Sequence, residues 1–126
     1  MGNRILVDTS VLVEAQHGNS LIKESLLTNR QKIAISRVTA YEVIHGSRDK
    51  AELKGNKQVL ERIEILEINE EISKLAYSLL EKYVLKTKLN LPDALITATA
   101  MIFSIPIWTL NSKHFKPIRE IELFEE

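Results

Sequence analysis

Cysteine is absent from this 126-residue chain. Disulfides, thiolate metal sites and thiol nucleophiles are therefore excluded, and the chain is expected to work in a reducing compartment, the cytoplasm. Glycine is scarce: Gly2, Gly18, Gly46 and Gly55 are scattered and form neither a GxGxxG nor a P-loop phosphate cradle. The three histidines lack zinc-ligand spacing, and His17 and His45 read as a helix-end and a helix-face residue. Aromatic residues make up 6% of the chain and form no stacking motif for single-stranded nucleic acid. No Ser-containing nucleophile elbow is present. Long apolar runs are also missing. The greasiest stretch, Ala94 to Leu110, is broken by Thr97, Thr99, Ser104 and Pro106, and reads as a buried helix followed by a strand, not a membrane span. The apolar stretch after Arg4 is short and contains Asp8, so no secretory signal is expected. Finally, 17 basic and 17 acidic residues cancel, so net charge does not point to nucleic acid.

What the chain does contain is three acids in apolar company. Asp8 closes Ile5-Leu6-Val7, Glu42 interrupts a helix-like run from Val38 to Ile44, and Asp93 follows Pro92 and opens the apolar segment from Ala94. A carboxylate against apolar surroundings is costly unless its charge is compensated. Each acid has an ordinary explanation when taken alone. Asp8 can cap a helix, with Thr9 and Ser10 competing for that position. Asp93 can complement a helix dipole. Glu42 can pair with Arg37 or a nearby Lys. Brought together, the three would repel one another unless a hard divalent cation sat between them.

Alternation of short strands and helices places them. Strands are expected at 4–7, 32–35, 65–68, 105–110 and 121–124. Helices are expected after Thr9 or Ser10, from Ser20, at 37–45 behind a Ser36 cap and ahead of a Gly46 stop, across the charged 48–62, at 70–86 and at 92–103. In 48–62 the inner positions are expected to be Leu53, Val59, Leu60 and Ile63. This pattern predicts one α/β domain over 1–126, with a mostly parallel sheet covered on both faces. Ligands of such sheets bind at the carboxyl ends of the strands. Asp8 and Asn111 lie just past two strand ends, and Asp93 opens a helix on that same edge. Glu42 lies one and a half turns into its helix. Charge is unevenly spread. Basic groups gather at Arg48, Lys50, Lys54 and Lys57 and at Lys82, Lys86 and Lys88, while acids gather at 61–71 and at Glu120, Glu122, Glu125 and Glu126. These are either solvated helix faces or a basic rim for a polyanion around an acidic centre.

Four segments together resemble the PIN-domain ribonucleases, in particular the VapC-type toxins of toxin–antitoxin pairs. They are Ile5-Leu6-Val7-Asp8-Thr9-Ser10-Val11-Leu12, the run from Ile35 to Gly46 carrying Glu42, Leu91-Pro92-Asp93-Ala94 with the apolar helix after it, and the run from Ile107 through Thr109 and Asn111 to Phe115. The resemblance spans essentially the whole chain. It implies a PIN-like three-layer α/β/α sandwich and a metal-dependent endoribonuclease. Asp8 and Asp93 would bind Mg²⁺ (or Mn²⁺), and Glu42 would bind the ion or hold one of its waters. Asn111 would complete the catalytic set. Thr9, Ser10, Thr109 and His114 would support the carboxylates or contact phosphate. Many relatives carry an acid where His114 stands, so one firmly held ion is expected here instead of two. The family also implies an RNA substrate, a homodimer or dimer of dimers, no membrane, and a cognate antitoxin whose tail covers the site. Exposed apolar residues on 20–28 and 37–45 are candidates for those protein contacts. Two alternatives stand beside the toxin reading: a PIN nuclease of RNA processing or quality control, and a catalytically weakened RNA-binding PIN module.

Overall fold

The computed structural model describes residues 3–125; Met1, Gly2 and Glu126, two of them counted above among the glycines and the terminal acids, lie outside that range. Along the chain run β1 (Ile5–Val7), α1 (Thr9–Gln16), α2 (Ser20–Thr28), β2 (Ile33–Ser36), α3 (Arg37–His45), α4 (Lys50–Leu60), β3 (Glu64–Leu66), α5 (Glu70–Tyr83), α6 (Leu91–Phe103), β4 (Ile107–Trp108) and α7 (Ser112–Phe115). The strands form one sheet in the order β3-β2-β1-β4, and every pair is parallel.

Burial on both faces explains why these strands read as unbroken apolar runs. Leu6, Ala34, Leu66 and Ile107 point to one face, into a core built with Ile72, Leu79 and Ile96. Ile5, Val7, Ile35 and Trp108 point to the other, against Val11, Leu12, Ile22 and Val43. Two cores on opposite faces of one sheet make the expected three-layer sandwich. The chain leaves β1 toward β2 on one side, whereas β4 joins β1 on the other. The carboxyl ends of β1 and β4 therefore flank the point where strand order reverses, the usual place for a ligand crevice.

Several boundaries depart from expectation for local reasons. The strand predicted at 105–110 shrinks to Ile107–Trp108. Pro106 has no N–H to pair and joins only through its carbonyl, which accepts from Leu6 N at 2.9 Å. The strand predicted at 121–124 is a single parallel bridge between Leu123 and Ile107. The strand predicted at 65–68 is β3, which begins one residue earlier and ends two residues earlier. The helix predicted over 70–86 ends at Tyr83, whose carbonyl accepts from both Lys86 N and Thr87 N in a closing turn. Asn19, not Ser20, caps α2, accepting from Ile22 N at 3.2 Å. Of the inner positions expected near α4, Leu53 and Val59 are exposed and only Leu60 is fully buried. Ser36 caps α3 as expected. Gly46 follows α3 in a right-handed conformation, so its position needs none of glycine's freedom.

The start of α6 matters most for the site. Asn90 caps it by accepting from Asp93 N at 2.9 Å, and Pro92 occupies the second helical position. The cap pins the backbone that carries Asp93. Replacing Asn90 by Ala should cost about 1 kcal/mol of folding stability. It should appear as a lower denaturant midpoint at unchanged slope.

Candidate active site

Asp8 stands directly after β1, and its N–H donates to Trp108 O of β4 at 2.8 Å. It occupies the cap position of α1, yet its carboxylate makes no capping bond. That removes the ordinary explanation for an acid at this place. Instead, Oδ2 accepts from Ser10 Oγ at 2.8 Å and from Thr109 Oγ1 at 2.7 Å. The two hydroxyl oxygens in turn accept from Leu110 N at 3.0 Å and Asn111 N at 2.9 Å. Ser10 and Thr109 thus cross-link the ends of β1 and β4 through the carboxylate of Asp8, a residue only 4% exposed.

Glu42 reaches the same edge from α3, after β2. Its Oε1 accepts from Thr9 Oγ1 at 2.6 Å, and Thr9 Oγ1 shares a further hydrogen bond with Thr39 Oγ1 at 3.0 Å. The alternative pairing with Arg37 does not form, because Arg37 binds Glu67 through both Nε and Nη2. Thr39 is fully buried and was not among the expected site residues. Its signal was available: Thr39 and Glu42 are three apart on one helix, so they share a face.

Asp93 comes from the first turn of α6 and is 8% exposed. Its Oδ2 lies 3.0 Å from His114 Nδ1. His114 thus engages a carboxylate directly instead of merely lying beside Phe115. Burial is the strongest influence on Asp93 and pushes its pKa up, and the hydrogen bond from His114 opposes that rise. The charges of Asp8 and Glu42 push it up again, so the three acids sense one another across the edge.

The remaining candidate, Asn111, sits at the cap of α7 with no side-chain capping bond, and its side chain is exposed. Its backbone carbonyl accepts from His114 N at 2.9 Å. Arg48 pairs with Glu52 and Lys82 with Glu120, while Lys50, Lys54 and Lys57 line a surface hollow beside Glu61.

Among the described residues, no three His, Cys, Asp or Glu side chains converge tightly enough to form a ready-made cation cage. The donor set nevertheless fits a hard, water-rich ion. One oxygen of each carboxylate is anchored, while Asp8 Oδ1, Glu42 Oε2 and Asp93 Oδ1 make no hydrogen bond among the described residues. None of the three is sealed from solvent as an unsatisfied buried atom. Mg²⁺ retains several waters and takes only one or two protein carboxylates, so a cage is not required.

The chain matches the PIN domain family over residues 5–120. It is 34% identical over 123 residues to Ribonuclease VapC1 of Methanocaldococcus jannaschii, a match covering 96% of this chain and 85% of that one. Among solved structures, a toxin–antitoxin complex from Klebsiella pneumoniae contains a chain 29% identical, with a TM-score of 0.80 and coverage of 97% and 99%. A DNA-bound VapBC from Salmonella typhimurium shares the fold at a TM-score of 0.82, with 22% identity and 98% coverage of both chains.

Asp93 gives the site a pH signature. Its folded pKa is raised, so the native state favours the protonated form. That contribution is fully present below the unfolded Asp value of about 3.9 and is lost as pH rises through the folded pKa. Asp93→Asn lacks this dependence. In chelator-treated protein, the variant should melt above wild type at neutral pH, and the gap should close as pH falls toward the ordinary Asp value. A gap that stays constant over this range contradicts the assignment.

Proposed function

The chain belongs to the PIN-domain family, and on that premise we propose that residues 1–126 form one PIN domain acting as a divalent-metal-dependent endoribonuclease, the toxin of a toxin–antitoxin pair in the cytoplasm. The observation that carries this reading is the convergence of Asp8, Glu42 and Asp93 at one sheet edge, each with one oxygen anchored and one left over. The relatives bearing the name Ribonuclease VapC support the substrate class.

A bound Mg²⁺ or Mn²⁺ would neutralise charge on the scissile phosphate and lower the pKa of the attacking water. The protein's own contributions divide by residue. Asp8 and Asp93 would hold the ion. Glu42, fixed at Oε1 by Thr9, would bind the ion or hold one of its waters. Ser10, Thr109 and Thr9 have their hydroxyls committed to carboxylates, so their part is to hold those groups still. Asn111, with a free exposed side chain, is the better placed of the polar candidates to meet phosphate.

The partner is an antitoxin, as the toxin–antitoxin complexes among the structural neighbours suggest. An apolar groove of about 550 Å³ lies between α2 and α4, lined by Leu12, Leu26, Leu27, Ile33, Val59 and Ile63, with Arg30 and Arg62 also bordering it. Leu27, on the helix expected to make such contacts, is 63% exposed. An unpaired surface of this kind suits an amphipathic partner segment carrying acids. A second copy of the chain is the other expected partner.

Two experiments test these roles separately. Asp8→Asn and Asp93→Asn should each lower Mg²⁺-dependent RNA cleavage more than about a hundredfold, while folding is retained or improved. Wild-type cleavage by Asp8→Asn defeats the nuclease assignment. Val59→Glu should abolish co-purification with the product of the neighbouring reading frame while leaving cleavage intact. Unchanged co-purification would place the partner elsewhere.

A further inference from the structure

Burial pushes Asp93 toward its protonated form, and the group that meets its carboxylate comes from α7 and not from a strand. His114 lies on α7, a single turn held in place from both sides. Phe115 is fully buried in the core beneath α6, and His114 N is tied to Asn111 O at 2.9 Å. The ring itself remains 32% exposed. Its orientation is therefore set by the backbone of α7 and by one side-chain contact, Nδ1 to Asp93 Oδ2 at 3.0 Å.

We propose that His114 is a positioning residue that holds Asp93 to single-oxygen ligation and so biases the site toward small octahedral cations over Ca²⁺. This rests on reading Asp93 as a cation ligand. A neutral imidazole with its hydrogen on Nδ1 suffices, since it donates to Oδ2 and needs no change of charge. While that bond stands, Oδ1 is the oxygen with no competing hydrogen-bond partner among the described residues. Mg²⁺ is content with one carboxylate oxygen and keeps its waters. Ca²⁺ has a larger coordination number and readily takes both oxygens of a carboxylate. Oδ2 keeps a second lone pair, but the imidazole bond fixes the rotation of the carboxylate, so two-oxygen capture of Ca²⁺ would have to bend that bond or compete with it. Asp8 is restrained in the same sense by Ser10 and Thr109, but those bonds also tie the sheet together. His114 is the restraint that can be removed without touching the strands.

The test uses full-length, chelator-stripped protein without RNA. Mn²⁺ binding is followed by electron paramagnetic resonance, and Ca²⁺ affinity by competition. His114→Ala should weaken Mn²⁺ binding by about tenfold, the lower end of the range for losing a hydrogen bond to a metal ligand, and Ca²⁺ binding by less, so that the preference for Mn²⁺ over Ca²⁺ falls. His114→Asn, whose amide N–H can stand near the Nδ1 position, should retain the wild-type ratio. Thermal unfolding checks that each variant is folded, and if His114→Ala is not, His114→Gln carries the same comparison with its donor displaced. A ratio equal in wild type and the donor-less variant overturns the proposal while leaving the metal site intact. No Mn²⁺ binding by wild type, or binding that survives both Asp8→Asn and Asp93→Asn, overturns the metal reading and this proposal with it.

Discussion

Repulsion among three carboxylates at one edge of a parallel sheet is the constraint on which the surrounding structure depends. Asp8 and Asp93 are almost fully buried, and Glu42 is half-buried beside them. Only Asp93, in the first turn of α6, has a local use for its charge, at the helix dipole. The protein tolerates them by giving each a donor: two hydroxyls for Asp8, one hydroxyl for Glu42 and an imidazole for Asp93. None of those donors is a full permanent cation such as Arg or Lys. The charge is thus restrained in position without being neutralised, which leaves it available to an ion.

The fold is arranged to hold that edge. All strand pairs are parallel, so the carboxyl ends of β1, β2 and β4 collect on one side. Apolar cores on both faces keep the short strands in register without long ladders. The hydroxyls of Ser10 and Thr109 then serve two ends at once, donating to Asp8 and accepting from the backbone of Leu110 and Asn111. The same contacts that position a carboxylate also end β4 after two residues. On the far side, burial of Phe115 holds α7 against α6 and brings His114 to Asp93.

Much of this was legible beforehand, and the failures have specific causes. The helices starting near Arg37 and Leu91 were readable from a Ser cap and from Asn-Leu-Pro, both local features with short-range hydrogen bonds. Strand ends were less readable, because they are decided by partners far along the chain. β4 is short since Pro106 cannot donate and Thr109 turns toward Asp8, 101 residues away in sequence. The exposure of Leu53 and Val59 is not legible in the sequence, because an apolar residue in a charged helix is ordinarily assigned to the core, whereas here both border open surface hollows. Thr39 was passed over because a Thr in an apolar helix looks like packing until a hydroxyl from α1 is found against it.

By itself the sequence determined the class of sheet, the number of acids out of place and their order along the chain. Those follow from periodicity, capping and burial cost, all of which act over a few residues. Only the tertiary structure decided which oxygen of each carboxylate is held and by what. It gave Arg37 to Glu67 instead of Glu42, Thr9 to Glu42 and His114 to Asp93. These three join residues 21 to 33 positions apart, the bond from Thr109 to Asp8 spans 101, and a hydrogen bond depends on distances of tenths of an ångström that no local pattern encodes.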